Sequence, residues 1–290
     1  MTDRRYPSKL ILFGEYTSLI DSATLGVPTW QYYGSWSDEK SRRSEFSEEF
    51  QQHLLQSTTD FLHIDLLKSV LEGPPYYRSN IPFGYGLGSS GALSAAIYDL
   101  TRRETDLNPA IIRNQLSIIE SFFHGASSGF DPLLSLLGEP LIKRSSGKIE
   151  VAPTLADRTA ELPIYLIDSG VKRRQKNLIP WFMGRTRQDP KAYQHLADLN
   201  NQMIDKLLNN DSEGYAELFK EISTVQLRIM DAMILGDLKS WWQKGLKSNT
   251  FYAKICGAGG GGYYFVYSNE SSGFEQGRKM VKLSTFTSRE

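Results

Sequence analysis

The run Pro82-Phe-Gly-Tyr-Gly-Leu-Gly-Ser-Ser-Gly91 is where residue types and spacing point most directly to chemistry. Gly84, Gly86 and Gly88 alternate with Tyr85 and Leu87, and Ser89, Ser90 and Gly91 then open an apolar pattern of helical period. Glycine lets the backbone take positive φ and lie against a ligand. Successive amides in such a loop turn inward and form an anion site. A helix start adds its partial positive charge and its free N–H groups. The hydroxyls of Ser89 and Ser90 can then reach phosphate oxygens or a magnesium ion. A plain turn before a capped helix is the alternative, with Ser89 or Ser90 as the cap.

Two further segments carry candidate chemistry. Glu120-Ser-Phe-Phe-His-Gly-Ala-Ser-Ser-Gly-Phe-Asp131 places one acid late in a helix and another after a Gly-containing loop. A carboxylate at a loop tip can orient an acceptor hydroxyl or take its proton, and an acid in the preceding helix can hold magnesium. Taken singly, each also reads as an ordinary solvated helix or turn residue. Lys254-Ile-Cys-Gly-Ala-Gly-Gly-Gly-Gly262 has five glycines in its last six positions, an entropically costly choice. A strand-like aromatic run, Tyr263 to Tyr267, follows at once, so a loop packed on a ligand or on the first Gly loop fits better than a linker.

Competing motifs fit less well. Gly86 to Gly91 matches G-x-G-x-x-G, but Pro82 interrupts the segment before it, and Ala110 to Arg113 offers no acid at the required distance. The G-x-x-x-x-G-K-[ST] pattern is absent from the chain. Gly125 to Gly129 matches the G-x-S-x-G hydrolase elbow around Ser127, but a helix precedes it and only His195 follows. The four histidines and Cys256 show no zinc-ligand spacing. Cys256 reads as packing rather than nucleophile.

The elements that must position these residues are legible in outline. Leu10 to Phe13 predicts a buried strand ending at Gly14, and Leu25 to Ser35 a second. Helical spacing runs over Ser44 to Lys68, from Ala92 to Leu100 and over Asn108 to Phe123. Tyr76 to Pro82 is expected to be extended, Gly138 to Thr154 to alternate extended pieces with turns, and Pro163 to Ile167 to form a strand. Asp189 to Gln243 predicts mostly helix with a weak break at Asn209 to Asp211. Phe274 to Lys282 reads as a short helix and Leu283 to Thr287 as a last strand. Trp241 and Trp242 are expected in the core or at a lobe contact. The order mixes strands and helices without strict alternation, which favours an α+β fold in two lobes, divided near residues 150–160.

Composition bounds the partners. The 290 residues are 40% apolar and 23% charged, the balance of a globular protein. Basic and acidic residues balance at 33 each, without the basic excess of a dedicated nucleic-acid binder. One cysteine excludes an internal disulfide framework and suits a reducing cytosol. No apolar run is long enough to span a membrane, and Lys9 to Phe13 is too brief for a signal-peptide core. A cytoplasmic protein is expected.

At these residues the sequence resembles the GHMP kinases, a superfamily named for galacto-, homoserine, mevalonate and phosphomevalonate kinases. Lys9-Leu-Ile-Leu-Phe-Gly-Glu15 resembles the first motif, Pro82 to Ala92 the phosphate loop, and Lys254 to Gly262 the third, Gly-rich motif. Order and spacing match from residue 9 to about 267. Within the superfamily the chain is most similar to mevalonate kinases, with their Lys-x-Ile-Leu-x-Gly-Glu start and Pro-Ser-Gly-Ile/Val-Asp loop. The resemblance implies an α+β N-terminal lobe over 1–155 and a ferredoxin-like C-terminal lobe over 156–290, with the active site in the cleft between them. It implies ATP and Mg2+ as cofactors and an alcohol as phosphoryl acceptor, either mevalonate or a related metabolite. A phosphorylated acceptor such as phosphomevalonate, a sugar, and nucleotide binding without catalysis are the alternatives. A monomer or homodimer without nucleic-acid or membrane partners is expected.

Residue by residue, Asp131 matches the family's catalytic aspartate and Lys9 the lysine beside it that steadies charge on the transferring group. With that lysine adjacent, the aspartate is expected to orient the acceptor hydroxyl rather than deprotonate it fully. Glu120, eleven positions before Asp131, matches the magnesium glutamate, and Ser90 the serine that joins it. Glu15 matches a glutamate near the nucleotide and metal. Gly84 to Gly91 and Gly257, Ala258, Gly259 and Gly260 would hold the nucleotide. Such a set suits phosphoryl transfer, which needs alignment and charge neutralisation above all. The departures gather around acceptor recognition. Tyr16 stands where the family usually has histidine, Ser127 replaces a proline, and Gly91 replaces an alanine. Arg173-Arg-Gln175 replaces an Arg followed by a hydroxyl pair. The cluster Lys172 to Lys176 reads as a solvated turn or as a grip on an acceptor carboxylate or phosphate.

Overall fold

The architecture comes from a computed structural model that describes residues 4–40, 46–173, 178–270 and 277–287. Strand β1 (Arg5–Phe13) takes in the apolar run at Leu10 and carries Lys9. It pairs antiparallel with the long β2 (Thr24–Ser37), Lys9 opposite Pro28. Two helices, α1 (Glu48–Ser57) and α2 (Ile64–Glu72), stand where helical spacing suggested one continuous stretch. Ser44, where that stretch was expected to begin, lies outside the described residues. Thr58 ends α1: it is buried and gives its hydroxyl to the Leu54 carbonyl at 2.6 Å.

Strand β3 (Tyr76–Ser79) pairs with the far end of β2. Next come α3 (Ser89–Thr101), α4 (Pro109–His124), α5 (Phe130–Leu137), β4 (Leu141–Lys143), β5 (Ile149–Val151) and α6 (Leu155–Glu161). The first sheet runs β1-β2-β4-β5, with β3 on β2. Helix α3 packs on α5 and β1, and its Ala92, Ala95 and Ala96 are fully buried. Asn108 caps α4, accepting from the N–H groups of Ala110 and Ile111 at 3.0 Å, with Pro109 in the first turn.

The second half begins with β6 (Ile164–Asp168) and continues with α7 (Ile179–Gln188), α8 (Pro190–Leu208), α9 (Tyr215–Ile229) and α10 (Gly236–Ser248). Breaks after Leu208 and Ile229 divide the long helical stretch expected from Asp189 onward. Strands β7 (Tyr252–Ile255), β8 (Tyr263–Tyr267) and β9 (Met280–Lys282) complete an antiparallel sheet of order β7-β8-β6-β9. Numbered within this sheet, the order is 2-3-1-4, that of the ferredoxin-like βαββαβ arrangement. The last two elements reverse the sequence expectation: 280–282 is strand, and α11 (Leu283–Thr287) is helix. Met280 and Val281 pair with Ile167 and Leu166 along β6, while Leu283 is fully buried where α11 packs on β2 and α6. Phe274, where the short helix was expected to begin, lies outside the described residues.

One continuous apolar cluster underlies both sheets. Trp241 and Trp242 belong to it, Trp241 stacked on Phe251 with ring centroids 4.7 Å apart. Among the described residues no helix is long and apolar enough to cross a membrane.

Candidate active site

Lys9 and Asp131 meet directly, Nζ to Oδ2 at 2.7 Å. Lys9 is buried in β1, and its backbone N–H goes to the carbonyl of Leu87 at 3.0 Å, which ties the first Gly loop to the strand. Asp131 sits in the first turn of α5, whose N-cap is Gly129. Gly88, with φ +75°, is the N-cap of α3 and takes the place expected for a serine. A side chain there would force the buried lysine stem to move, since an added Cβ would lie 2.8 Å from Lys9 Cγ. The serine hydroxyls are therefore released from capping. Leu87 itself is buried, so its backbone rather than its side chain serves the loop.

Ser90 Oγ donates to Glu120 Oε1 at 3.3 Å and lies 3.2 Å from His124 Nε2. Ser127 Oγ donates to the other oxygen of Glu120 and accepts from the Gly129 N–H at 3.0 Å. Glu120 is buried rather than solvated. Burial, helped by the nearby Asp131 charge, pushes its carboxyl up to about 7. Burial also lowers the His124 imidazole. Ser127 sits between α4 and α5, without the strand that a hydrolase elbow requires.

The third Gly segment packs on the first. A Cβ at Gly262 would stand 2.8 Å from the Tyr85 carbonyl. The Arg173 N–H bonds the Gly84 carbonyl at 2.9 Å, and the Gly262 N–H bonds the Val171 carbonyl at 2.8 Å. Gly260 gives its N–H to Met233 at 2.8 Å, and a Cβ at Gly259 would meet that same carbonyl. Tyr16 OH donates to the Ala258 carbonyl at 3.0 Å, joining the first motif to the third. Tyr16 holds φ +60°, a conformation that bulky residues seldom keep without surrounding support. Beneath them Glu15 and Lys254 form a buried ion pair. Burial pushes the Glu15 carboxyl up and the Lys254 ammonium opposes it. Glu15 Oε2 is buried with no hydrogen-bond partner among the described residues.

A cavity of about 310 Å³ opens beside the Lys9–Asp131 pair. Its wall includes Glu15, Tyr16, Gly86, Gly257 and Ala258, and it also carries Thr24, Lys143 and Arg173. That volume suits a small metabolite. Among the described residues no group of three or more His, Cys, Asp and Glu could hold a metal ion by itself. Ser90 and Glu120 are oxygen donors of the kind that complete a magnesium sphere together with phosphates and water. Arg174, Gln175 and Lys176 of the expected anion grip lie outside the described residues.

Sequence reasoning missed several of these neighbours. His124 and Ser127 stood in a recognised segment, but only folding brings them to Ser90 and Glu120. Lys254 meets Glu15, which lies 239 positions away and beyond the reach of any local spacing. Thr24 and Lys143 carried no motif: each ends a strand, and the cavity they line forms only in three dimensions.

The sequence profile of the GHMP kinases N terminal domain matches residues 54–139. The mevalonate kinase of Pyrococcus horikoshii is 29% identical over 200 residues, which is 65% of this chain and 57% of that relative's length. The crystal structure of the Methanococcus jannaschii mevalonate kinase superposes with a TM-score of 0.65 at 15% identity, covering 96% of each chain. The Streptococcus pneumoniae phosphomevalonate kinase, solved with phosphomevalonate and AMPPNP, superposes at 0.59 with 14% identity, covering 93% of each. At such identities the structural likeness is one of fold.

Proposed function

We propose that this chain, which belongs to the GHMP kinase superfamily, transfers the terminal phosphoryl group of ATP to an alcohol acceptor, mevalonate or a closely related metabolite. The observation that carries the reading is the Lys9–Asp131 contact at 2.7 Å, set between the first Gly loop and the cavity. In this reading the cavity takes the acceptor with its hydroxyl toward Asp131. The carboxylate accepts that hydroxyl's hydrogen bond and aims the oxygen at the phosphorus. Lys9 balances negative charge on the transferring group, as in-line transfer requires. The amides from Gly84 to Gly91 and the start of α3 hold the phosphates.

Ser90 and Glu120 would hold magnesium. A buried carboxylate pushed up to about 7 by burial and by a second acid is one that a cation would stabilise in its ionised form. Bound there with the nucleotide, the ion supplies neutralisation of phosphate charge. Ser127 and His124 keep the donors in place. The two functional lobes of this proposal are 1–155, with the phosphate loop, and 156–290, with the third Gly motif, and Glu15–Lys254 fastens one to the other.

A second reading, a phosphorylated acceptor such as phosphomevalonate, is favoured by Arg173 on the cavity wall. A panel of mevalonate, phosphomevalonate, homoserine and galactose, scored by ADP release with magnesium present, separates these. Turnover confined to mevalonate supports the proposal, and turnover confined to phosphomevalonate supports the second reading. Nucleotide binding with no turnover on any acceptor would refute it in favour of a silent nucleotide-binding protein.

A further inference from the structure

We propose that Lys143 and Thr24 form a subsite that holds an anionic group of the acceptor, a carboxylate or a phosphate. The proposal rests on the kinase reading above and adds the group by which the acceptor is recognised. Thr24 and Lys143 are direct cross-strand partners where β2 pairs with β4, so their side chains share a face of the sheet. Both line the cavity that also carries Lys9 and Asp131.

Each of the two lacks a satisfied partner. Thr24 Oγ1 is buried and has no hydrogen bond among the described residues. A buried hydroxyl without a partner is uncommon and points to a group not yet present. Lys143 is half-buried, and no carboxylate among the described residues pairs with it. The charged neighbour that acts on it is Arg113, another cation. Burial and that neighbour both lower the Lys143 ammonium, so an anion in the cavity would relieve it. Lys9 differs, since its charge is already met by Asp131. An ammonium and a hydroxyl side by side match the donors that an oxyanion needs. The subsite would fix the far end of the acceptor and leave its hydroxyl to Asp131.

The test uses full-length protein and three probes that share one skeleton: mevalonate, neutral 3-methylpentane-1,3,5-triol, and that triol with one phosphate in place of the carboxylate end. Phosphoryl transfer and calorimetric binding without ATP are measured for wild type, Lys143→Met, Lys143→Arg and Thr24→Val. A charge-assisted hydrogen bond lost from the acceptor raises its KM and Kd by about ten- to hundredfold. Lys143→Met is expected to do so for the preferred anionic probe, with kcat, the ATP KM and any handling of the neutral triol unchanged. Thr24→Val gives a smaller rise, and Lys143→Arg restores most of the loss. Which anionic probe shows the effect identifies the group held. Turnover with the same anion preference in wild type and Lys143→Met overturns the subsite and leaves the kinase reading standing. Lys143-dependent binding without transfer keeps the subsite and overturns the kinase reading. Absence of both binding and transfer with either anionic probe overturns both.

Discussion

Gly88→Ala is the perturbation that most sharply separates backbone strain from damage to the site. Gly88 lies at φ +75°, where an L-residue costs about 1–2 kcal/mol. The added methyl would stand 2.8 Å from Lys9 Cγ and 3.0 Å from Lys9 Cε. Comfortable carbon contacts begin at about 3.5 Å, so the buried lysine stem must move. Overpacking of this kind adds about 1–3 kcal/mol. The sum, about 2–5 kcal/mol, corresponds to a fall in Tm of roughly 3–8 °C for a chain of 290 residues. A shift of about 1 Å in a positioned catalytic group costs on the order of 10²-fold in rate. Gly214→Ala supplies the comparison: φ is +74°, it is the N-cap of α9, and nothing lies within 4 Å of its added Cβ. It should lose only the backbone term and keep its kcat. Melting curves and steady-state transfer rates measure both. Equal kcat in the two variants would show that Gly88 does not make room for Lys9, and the reasoning would fail.

Four further outcomes follow from the geometry. Glu15→Gln or Lys254→Met alone leaves a buried charge unpaired and should cost about 3–5 kcal/mol in urea unfolding; the double variant should recover much of that, and additive losses would contradict it. Cys256 is buried with its thiol pushed up to about 12. At pH 9 the native protein should therefore resist thiol-reactive dyes that label the unfolded chain at once, and fast native labelling would refute this burial. Glu120→Gln should raise the magnesium concentration for half-maximal transfer by about tenfold or more, taking second-sphere losses as a lower guide. Ser90→Ala should act in the same direction, and an unchanged magnesium response in both variants would remove them from the metal site.

Much of this site was legible because its parts are local. The glycines and serines of 82–91 adjoin in sequence, so loop and helix start could be read together. Asp131 and Glu120 read singly as ordinary helix and turn residues, and only the resemblance to the family gave their eleven-residue separation a meaning. The serine cap was misplaced because periodicity shows where a helix begins but not what lies beneath its first turn, and there the Lys9 stem decides. The reversal at 280–287 has a similar cause. Three residues of strand carry too little alternation to be told from helix, and the vacant edge of β6 settles the matter. Thr24 and Lys143 belong to a cavity wall assembled from strand ends, where the informative quantity is the missing partner, which no spacing encodes.

Transfer of phosphate from ATP to mevalonate by wild type, Asp131→Asn and Lys9→Met, with ATP binding measured in parallel, bears most directly on the pairing of carboxylate and ammonium beside the phosphate loop. Both variants should retain nucleotide affinity and lose transfer by about a hundredfold or more. Full activity in either variant would contradict the account.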